Sequence, residues 1–571
     1  MHGVAARRAA HEARKPCPAL VQRTDVVTSP GLRTVAKGVG AVAALIAVIT
    51  LLARLAGFGR NLVFARTVGT TCIGDTYVAA NTVPNIIFEI VAGGALASLV
   101  VPMLSGAIAS GDHERARRTA SSLLTWTILI LVPVSGLLAL MARPLAEALL
   151  SGSSCSGAVE LGTRMLLVFA PQVVLYGVGI VLTGILQAHG RFAGPALAPL
   201  LSSIVVAVAY LLYRLSAGVP DSVDDLATGS ELILSVGTTI GVVVLALVLL
   251  IPLRGTGLRL RPSVGFPAGV APRVRRLAAA GIATLAAQQV AVVVAIRLAN
   301  DGAPEGTQVL YLLAMTVFLL PWGAVAVPLA TSAFPRLSAS CERGDEPSYR
   351  ATLAPTAAAV LIGCLVGSAA MIAVAEPAAR IFVQGTGVPD ADLTVARLAA
   401  TIVAFAPGLA GYGLVAMLTR ALYARGLWKE PTLAVVGGWF LTVAADIGLA
   451  AALPETARGV ALAAGHSLGV IVAGIALIVM TVRSAGPESL GGLARVGSVA
   501  LVAVAAAAMS GRLLAEAWDG GGVFLAVLQV LAVGTVVLLV AGATMMVLAR
   551  ESMRAVLRGL RRPDIVQEEV Q

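Results

Sequence analysis

The chain has 571 residues, of which 58% are hydrophobic and 12% are charged, and its formal net charge is +11. Soluble globular domains carry about 25% charged residues, so this composition excludes a soluble protein. The mean hydropathy of +0.91 instead predicts a chain that lies mostly within a membrane.

Apolar stretches long enough to cross a bilayer core of about 30 Å as helices recur along the whole chain. In lipid the backbone must satisfy its own hydrogen bonds, so segments of this length predict helices. We therefore predict an all-α polytopic membrane protein with fourteen transmembrane helices. The spans are expected at 39–65, 75–105, 119–141, 160–187, 194–215, 231–252, 275–299, 308–335, 352–374, 394–421, 432–453, 458–482, 492–512 and 522–549.

The links between the predicted spans differ in charge. The arm 1–37 carries seven Lys/Arg against two acids, the link 254–276 carries six arginines and no acid, and the tail from Arg550 carries five arginines. Counting spans places these segments on one side of the membrane and the acidic link 221–231 on the other. This is the positive-inside pattern of a plasma-membrane protein with both termini cytoplasmic. It argues against nucleic acid as a partner and predicts contact with anionic membrane lipids.

The span pattern divides the chain into six segments. They are a basic cytoplasmic arm (1–37), an amino-terminal lobe of six spans (38–252), a basic cytoplasmic linker (253–274), a carboxy-terminal lobe of six spans (275–482), two further spans (483–549) and a basic cytoplasmic tail (550–571).

Charged side chains inside the first spans are costly in lipid and indicate a function. They are Arg54, Arg60 and Glu89, with Asp75 near the outer end of the second span. Arg54, Arg60 and Arg66 are each six residues apart, so on a helix they point to three different faces. Arg66 is predicted to reach the lipid headgroups, whereas for Arg54 the headgroups and a cavity both stay open. Arginines that face a cavity would suit a phosphate or pyrophosphate.

The five cysteines show no metal-ligand spacing. Cys72 and Cys155 both fall in predicted outward links, so a disulfide between them is geometrically conceivable, but connectivity cannot be read from sequence. The chain also lacks Gly-Lys-[Ser/Thr] and HExxH. We expect no enzymatic activity and no cofactor. An ion gradient or the membrane potential would then drive any uphill transport, with Na⁺ or H⁺ as the coupling ion.

The two lobes are related by an internal repeat. Residues 181–198 (VLTGILQAHGRFAGPALA) align without gaps to 417–434 (MLTRALYARGLWKEPTLA) and share eight of eighteen residues. Upstream, Gly111-Asp112 corresponds to Gly344-Asp345. Corresponding elements lie six spans apart, an even number, so both copies have the same orientation. Such a parallel pseudo-repeat is transporter architecture, with the substrate path between the lobes.

In the second lobe, Asp446 lies in the middle of its span, and Thr442 is one turn earlier on the same face. A buried carboxylate beside a hydroxyl could hold Na⁺ or exchange a proton. The alternative is a protonated aspartic acid that bonds to a backbone carbonyl. Gln288, Gln289 and His466 are predicted to join helices through hydrogen bonds.

Four motifs resemble the lipid II flippase family (MurJ/MviN) of the MOP exporter superfamily, over about residues 38–550. They are ARLAGFGRNLVFAR, GDTYVAANTVPNIIFEIVAGGALASLVVPMLS, GILQAHGRFAGPALAPLL and LTRALYARGLWKEP. Within the second, PNIIFEIVAGGAL is similar to the actinobacterial branch. The resemblance implies a flippase that moves an undecaprenyl-pyrophosphate-linked peptidoglycan precursor outward by alternating access.

The resemblance also implies site residues. Arg54 and Arg60 match arginines that engage the pyrophosphate, and Asp75 and Asn85 belong to the same motif. Thr442 and Asp446 are similar in type and spacing to polar residues that bind Na⁺ in some members. Two departures stand out, because Phe88 and Glu89 occupy places where many members carry arginines. Glu89 is then expected to be a partner of the two arginines or a gate.

Three other functions stay open. The chain could flip another polyprenyl-linked glycan, or it could be a cation-coupled exporter like the MATE transporters. It could also be a scaffold without transport activity, which would recruit cell-wall synthesis and division proteins through its basic termini.

Overall fold

The computed structural model describes the backbone of residues 32–90, 104, 108 and 112–548, with gaps at 219, 221, 259, 266–270, 389 and 519–521. Side chains are described from residue 48 onward, except those of 271–280. Residues 1–31 of the predicted arm 1–37, the tail 550–571 and most of the second half of the second span lie outside the described residues. Residues 32–37 of the predicted arm are helical and continue into the first span. Within the described ranges every regular element is a helix, which confirms the predicted all-α class.

The first half of the chain contains ten helices in the described ranges. They are α1 (Leu32–Thr67), α2 (Cys72–Glu89), α3 (His113–Leu140), α4 (Ala142–Leu150), α5 (Ala158–Phe169), α6 (Gln172–Ala188), α7 (Ala193–Ala217), α8 (Thr228–Leu247), α9 (Leu250–Arg254) and α10 (Ala271–Ala299).

The second half contains nine further α-helices in the same description, with a π-helical turn at Trp322–Ala326 between the first two. They are α11 (Thr307–Pro321), α12 (Val327–Glu342), α13 (Glu346–Val383), α14 (Ala391–Phe405), α15 (Gly408–Ala424), α16 (Lys429–Ala452), α17 (Arg458–Ala485), α18 (Leu493–Ala517) and α19 (Val523–Leu548).

Twelve of the described helical segments are long and apolar enough to cross a membrane, and the bent pair α14–α15 makes a thirteenth if it counts as one span. They correspond to the predicted spans except the second. There α2 covers the first part, and the rest lies mostly outside the described residues. The chain is thus a multi-pass membrane protein, while the full count of fourteen stays a prediction.

The chain forms two compact units. The amino-terminal unit extends to Val309 and also includes the segment that starts at Thr386, and the carboxy-terminal unit begins at Leu310. In the first unit α7 packs against α1 and α8, and α3 packs against α6. In the second unit α16 packs against α17, and α13 packs against α18 and α19. The boundary falls in α11, and the six predicted segment limits stay predictions.

The local structure of the two units agrees at positions that the sequence repeat aligns. Asp112 caps α3 by accepting a hydrogen bond from the Arg115 amide, and Asp345 caps α13 in the same way from the Ser348 amide, at 2.9 and 3.0 Å. The glycines that follow α6 and α15, Gly190 and Gly426, both adopt positive φ, at 69° and 75°. This left-handed conformation is strained for other residues and ends both helices alike.

Both units also contain a broken span at matching positions. Pro171 separates α5 from α6, and Pro407 separates α14 from α15, because proline lacks an amide donor and its ring crowds the preceding helical turn. At each break the carbonyl just before the proline accepts a serine hydroxyl from a neighbouring helix, in addition to a long backbone hydrogen bond from the Val173 or Leu409 amide. Ser135 Oγ donates to Ala170 O at 2.8 Å, and Ser368 Oγ donates to Ala406 O at 2.6 Å.

A buried ionic cluster holds one end of the carboxy-terminal unit together. Arg425, which is 5% exposed, donates to Glu346 Oε2 and to the Ser484 carbonyl, both at 2.9 Å. Its guanidinium lies 5.0 Å from the centroid of the Tyr349 ring. The Tyr349 hydroxyl in turn donates to the Ala421 carbonyl. This cluster joins the start of α13 to the ends of α15 and α17.

A disulfide joins Cys72, the first residue of α2, to Cys155 in the link between α4 and α5, with a Cα–Cα distance of 5.7 Å. Both cysteines are buried, at 7% and 8% exposure. The pairing that the sequence left open is therefore present in the structure. It fixes the start of α2 to a link that is 83 residues away in sequence.

Replacing Cys72 by serine is expected to lower the free energy of unfolding by about 2–4 kcal/mol, because the cross-link restricts the unfolded chain. Unfolding in detergent would measure this, and the double variant Cys72→Ser/Cys155→Ser should lose no more than either single variant. Maleimide applied in denaturant without reductant should label Cys155 in Cys72→Ser only. Labelling of Cys72 and Cys155 in the wild type would contradict the pairing.

Candidate functional site

An aromatic and hydroxyl cluster fixes the position of α1 in the amino-terminal unit. The Tyr77 hydroxyl of α2 lies 2.8 Å from the Tyr210 hydroxyl and 2.9 Å from Thr238 Oγ1, which joins α2 to α7 and α8. The Phe64 ring of α1 packs on both tyrosines, with centroid distances of 5.3 and 5.2 Å. Arg60 lies one turn before Phe64, so this cluster also positions Arg60.

The Arg60 guanidinium has donors that the described residues do not use. Its Nε is buried and has no hydrogen-bond partner among them, and its Nη2 makes only a 3.5 Å contact with Asn61 Oδ1. The group also lies within electrostatic range of the hydroxyls of Tyr77, Tyr176 and Tyr210. A buried donor without a partner is costly. This geometry therefore suits an anionic ligand, which would accept those bonds.

Polar and aromatic residues follow one face of α2. Asn81, Asn85 and Phe88 are spaced by four and three residues, and Glu89 follows Asn85 by four. The Asn85 amide donates to the Asn81 carbonyl at 2.8 Å, and Asn81 Oδ1 is buried without a hydrogen-bond partner among the described residues. The Phe88 ring contacts the Tyr176 ring of α6, with centroids 4.6 Å apart. Glu89 is exposed.

Arg54 lies apart from Arg60, as the helical period predicts. It is exposed on the same stretch of α1 as Leu51 and Leu55, which are 58% and 55% exposed. Among the described residues, Glu89 forms no ion pair with either arginine. The structure therefore brings Arg60 close to Tyr176 but not to Arg54, and the predicted pairing with Glu89 stays a prediction.

Asp75 is engaged elsewhere. Its side chain is 4% exposed, and its two oxygens accept hydrogen bonds from the amides of Gly306 and Val309, at 2.7 and 2.9 Å. Gly306 directly precedes α11 and Val309 lies in its first turn, where a carboxylate is stabilised by the unpaired N–H groups and the helix dipole. Asp75 thus holds the link between α10 and α11. Its role as a substrate contact stays a prediction.

Asp446 and Thr442 lie inside the carboxy-terminal unit, at 1% and 2% exposure. Both Asp446 oxygens lack a hydrogen-bond donor among the described residues, and Thr442 Oγ1 donates to the Gly438 carbonyl at 3.2 Å. A Cβ added at Gly465 would collide with Asp446 Oδ1, and one at Gly469 would collide with Thr442 Oγ1. Glycine at both positions therefore lets α17 approach α16 closely.

His466 is surrounded by rings, and its Nε2 is buried without a hydrogen-bond partner among the described residues. Phe318, Phe405, Tyr412 and Trp439 contribute these rings, with centroids 5.3–6.1 Å from that of His466. The predicted role of His466 in joining helices is thus carried by ring packing on α11, α14, α15 and α16.

Several residues near these sites were missed at the level of sequence. Gly465 and Gly469 form a Gly-x-x-x-Gly pattern, a signal of close helix packing in membranes that could have been recognised. No sequence pattern marks Tyr176 or Tyr311 as part of a site. Tyr311 of α11 lies within electrostatic range of Asp446, although the two residues are far apart in sequence.

The carboxy-terminal unit also contains an apolar groove of about 890 Å³ between α13, α15, α17 and α18. Its walls include Leu361, Leu414, Ile475 and Leu501. Ser368 also lines it, but its hydroxyl is used in the bond to Ala406. The groove thus offers a mainly hydrocarbon surface.

The sequence profile of the family described as "Lipid II flippase MurJ" matches residues 64–550. A relative from Rhizobium meliloti (strain 1021), "Probable lipid II flippase MurJ", is 26% identical over 434 residues, which cover 74% of this chain and 76% of the relative. A Vibrio cholerae protein with the same description is 23% identical over 397 residues, covering 68% and 73%.

Two solved structures show the same fold. "Lipid II flippase MurJ, inward closed conformation" matches with a TM-score of 0.69 and 17% identity, over 90% of this chain and 100% of that chain. An inward-facing multidrug resistance MATE family transporter of the MOP superfamily matches with a TM-score of 0.56 and 15% identity, over 78% and 96%.

Proposed function

Because the chain belongs to the lipid II flippase MurJ family, we propose that it moves lipid II, the undecaprenyl-pyrophosphate-linked peptidoglycan precursor, outward across the plasma membrane by alternating access. The observation that supports this most directly is the Arg60 guanidinium, which lies in a membrane-spanning helix with donors unused. A permanently charged group at this depth needs a compensating anion. A pyrophosphate provides one and accepts paired guanidinium hydrogen bonds.

Arg54 and Asn85 complete the proposed contacts to the head group. Arg54 is exposed on the same helix but points to a different face from Arg60, so it would contact the anionic head group at a separate point. Asn85 is half-buried one turn before Glu89. No covalent step is involved, and the chain's residues act only by binding and orienting the substrate.

The lipid tail would occupy the apolar groove of the carboxy-terminal unit. The groove is walled on one side by α18, which belongs to the two spans beyond the repeat. A polyprenyl chain is a long hydrocarbon, and a mainly apolar groove of about 890 Å³ matches that chemistry.

Asp446 and Thr442 would bind the coupling ion, either Na⁺ or H⁺. Their fit rests on the two Asp446 oxygens, which are buried and lack a hydrogen-bond donor among the described residues. Such oxygens are stabilised by a hard cation or a proton.

We place the disulfide end of α2 outside the cell and both termini in the cytoplasm. Disulfides persist in oxidising compartments, which supports this orientation together with the basic links. The basic arm and tail would then face anionic lipids of the inner leaflet, and they are the segments through which cell-wall synthesis proteins could bind.

The MATE-type fold keeps one alternative open, because a cation-coupled exporter would share the architecture.

A flipping assay distinguishes the two functions. The purified protein would be reconstituted in vesicles that contain fluorescent lipid II, and the outward fraction of lipid II would be measured with an impermeant quencher. We expect transbilayer movement that depends on an ion gradient or on membrane potential and that Asp446→Asn slows. Unchanged sidedness of lipid II after depletion of the protein in cells would reject the flippase. Loss of function on deleting 1–37 alone, with Arg60→Ala fully active, would favour the scaffold.

A further inference from the structure

The contact between Phe88 and Tyr176 has features of a binding surface. The two rings come from α2 and α6, lie 4.6 Å apart at an angle of 41°, and are each partly exposed. Tyr176 is also the ring that lies within electrostatic range of Arg60. An aromatic pair, an arginine with unused donors and the exposed carboxylate of Glu89 therefore occur together in one unit.

We propose that the Phe88–Tyr176 pair is the surface on which the sugar of the substrate stacks while Arg60 holds the pyrophosphate. This inference rests on the proposed function, since it assigns the glycan part of the same substrate. The sugar is bonded directly to the pyrophosphate, so a surface beside the phosphate-binding arginine meets the sugar first.

The chemistry of both rings fits a sugar better than a phosphate. The face of an aromatic ring carries negative charge density and attracts polarised C–H groups, which cover one face of a pyranose. The same face offers nothing to a phosphate oxygen. Phe88 has no charge and no hydrogen-bond donor, so this position on α2 cannot bind an anion.

The polar neighbours on α2 agree with this assignment. Glu89 is exposed beside Phe88 and would repel a phosphate, but it can accept hydrogen bonds from sugar hydroxyls. Asn81 Oδ1 is buried without a partner among the described residues and can accept another. The face of α2 from Asn81 to Glu89 therefore offers hydrogen-bond acceptors and the Phe88 ring to a neutral ligand that carries hydroxyl groups.

The test compares two lipids that differ only in the glycan. Binding of undecaprenyl pyrophosphate and of lipid II to the full-length protein in nanodiscs would be measured for Phe88→Ala, Tyr176→Ala and Arg60→Ala. We expect the two aromatic variants to weaken lipid II binding about tenfold, the upper end for an aromatic contact, and to leave undecaprenyl pyrophosphate unchanged. Arg60→Ala should weaken both lipids.

Controls separate binding from folding. Phe440→Ala removes a ring that is 58% exposed on α16 and should bind lipid II like the wild type. Tyr176→Phe keeps the ring and should bind lipid II more tightly than Tyr176→Ala. Equal loss of both lipids in Phe88→Ala, or no loss of either, would overturn the sugar surface while wild-type binding upholds the proposed function. A wild type that binds neither lipid would overturn both.

Discussion

Arg60→Ala is expected to reduce the rate of lipid II flipping by about tenfold to a hundredfold. Each hydrogen bond between a guanidinium and an anionic oxygen contributes about 1.5–3 kcal/mol, and the described residues do not compete for the Arg60 Nε. Arg60→Lys should recover only part of the rate, because an ammonium cannot pair two oxygens in one plane. The quencher assay in reconstituted vesicles measures both variants.

Arg143→Ala is the matched control for the loss of an arginine. Arg143 is 72% exposed and pairs with Glu147 within α4, so its removal should change neither stability nor flipping noticeably. Wild-type flipping by Arg60→Ala, at the same protein level in the vesicles, would contradict the proposed contact. Arg54→Ala in the same assay tests whether the exposed arginine contributes as well.

Arg425→Ala is expected to produce the largest loss of stability, about 3–5 kcal/mol, because it leaves the partner carboxylate of a largely buried ion pair uncompensated. The Arg425 side chain is 2% exposed and that of Glu346 is 26% exposed. The substitution also removes the donor to the Ser484 carbonyl and the contact with the Tyr349 ring. Thermal unfolding in detergent, followed by tryptophan fluorescence, measures the change.

Arg512→Ala provides the comparison, because Arg512 forms an ion pair with Glu516 of the same helix and is 64% exposed. Such pairs contribute about 0.3–0.5 kcal/mol. A similar shift in the two variants would show that the cluster around Arg425 does not hold α13, α15 and α17 together.

Much of the fold could be predicted because it follows from local rules. Helix length against bilayer thickness located the spans, and glycine and proline marked the same helix ends in both halves, as at Gly190 and Gly426. The helical period also predicts that Arg54 and Arg60 point to different faces. These features depend on residues that are close in sequence.

The candidate sites were less predictable because they depend on contacts between distant segments. The two oxygens of Asp75 bind amides more than 230 residues later in the chain. In the sequence, Asp75 is only a charged residue near the end of a span, which by itself suggests a substrate contact. Tyr176 meets Phe88 only because α6 packs near α2, and no spacing rule reports that contact. The pairing of Cys72 with Cys155 is of the same kind.

The serine bonds at the two broken spans bear on the history of the chain. Each half has a proline at the same place and, in a neighbouring helix, a serine that donates to the carbonyl just before that proline. The proline and the serine lie in different helices, yet the two occur together at corresponding places in both halves. The simplest order of events is that a single ancestral half already had both, and that its duplication copied the bend together with the hydroxyl that stabilises it.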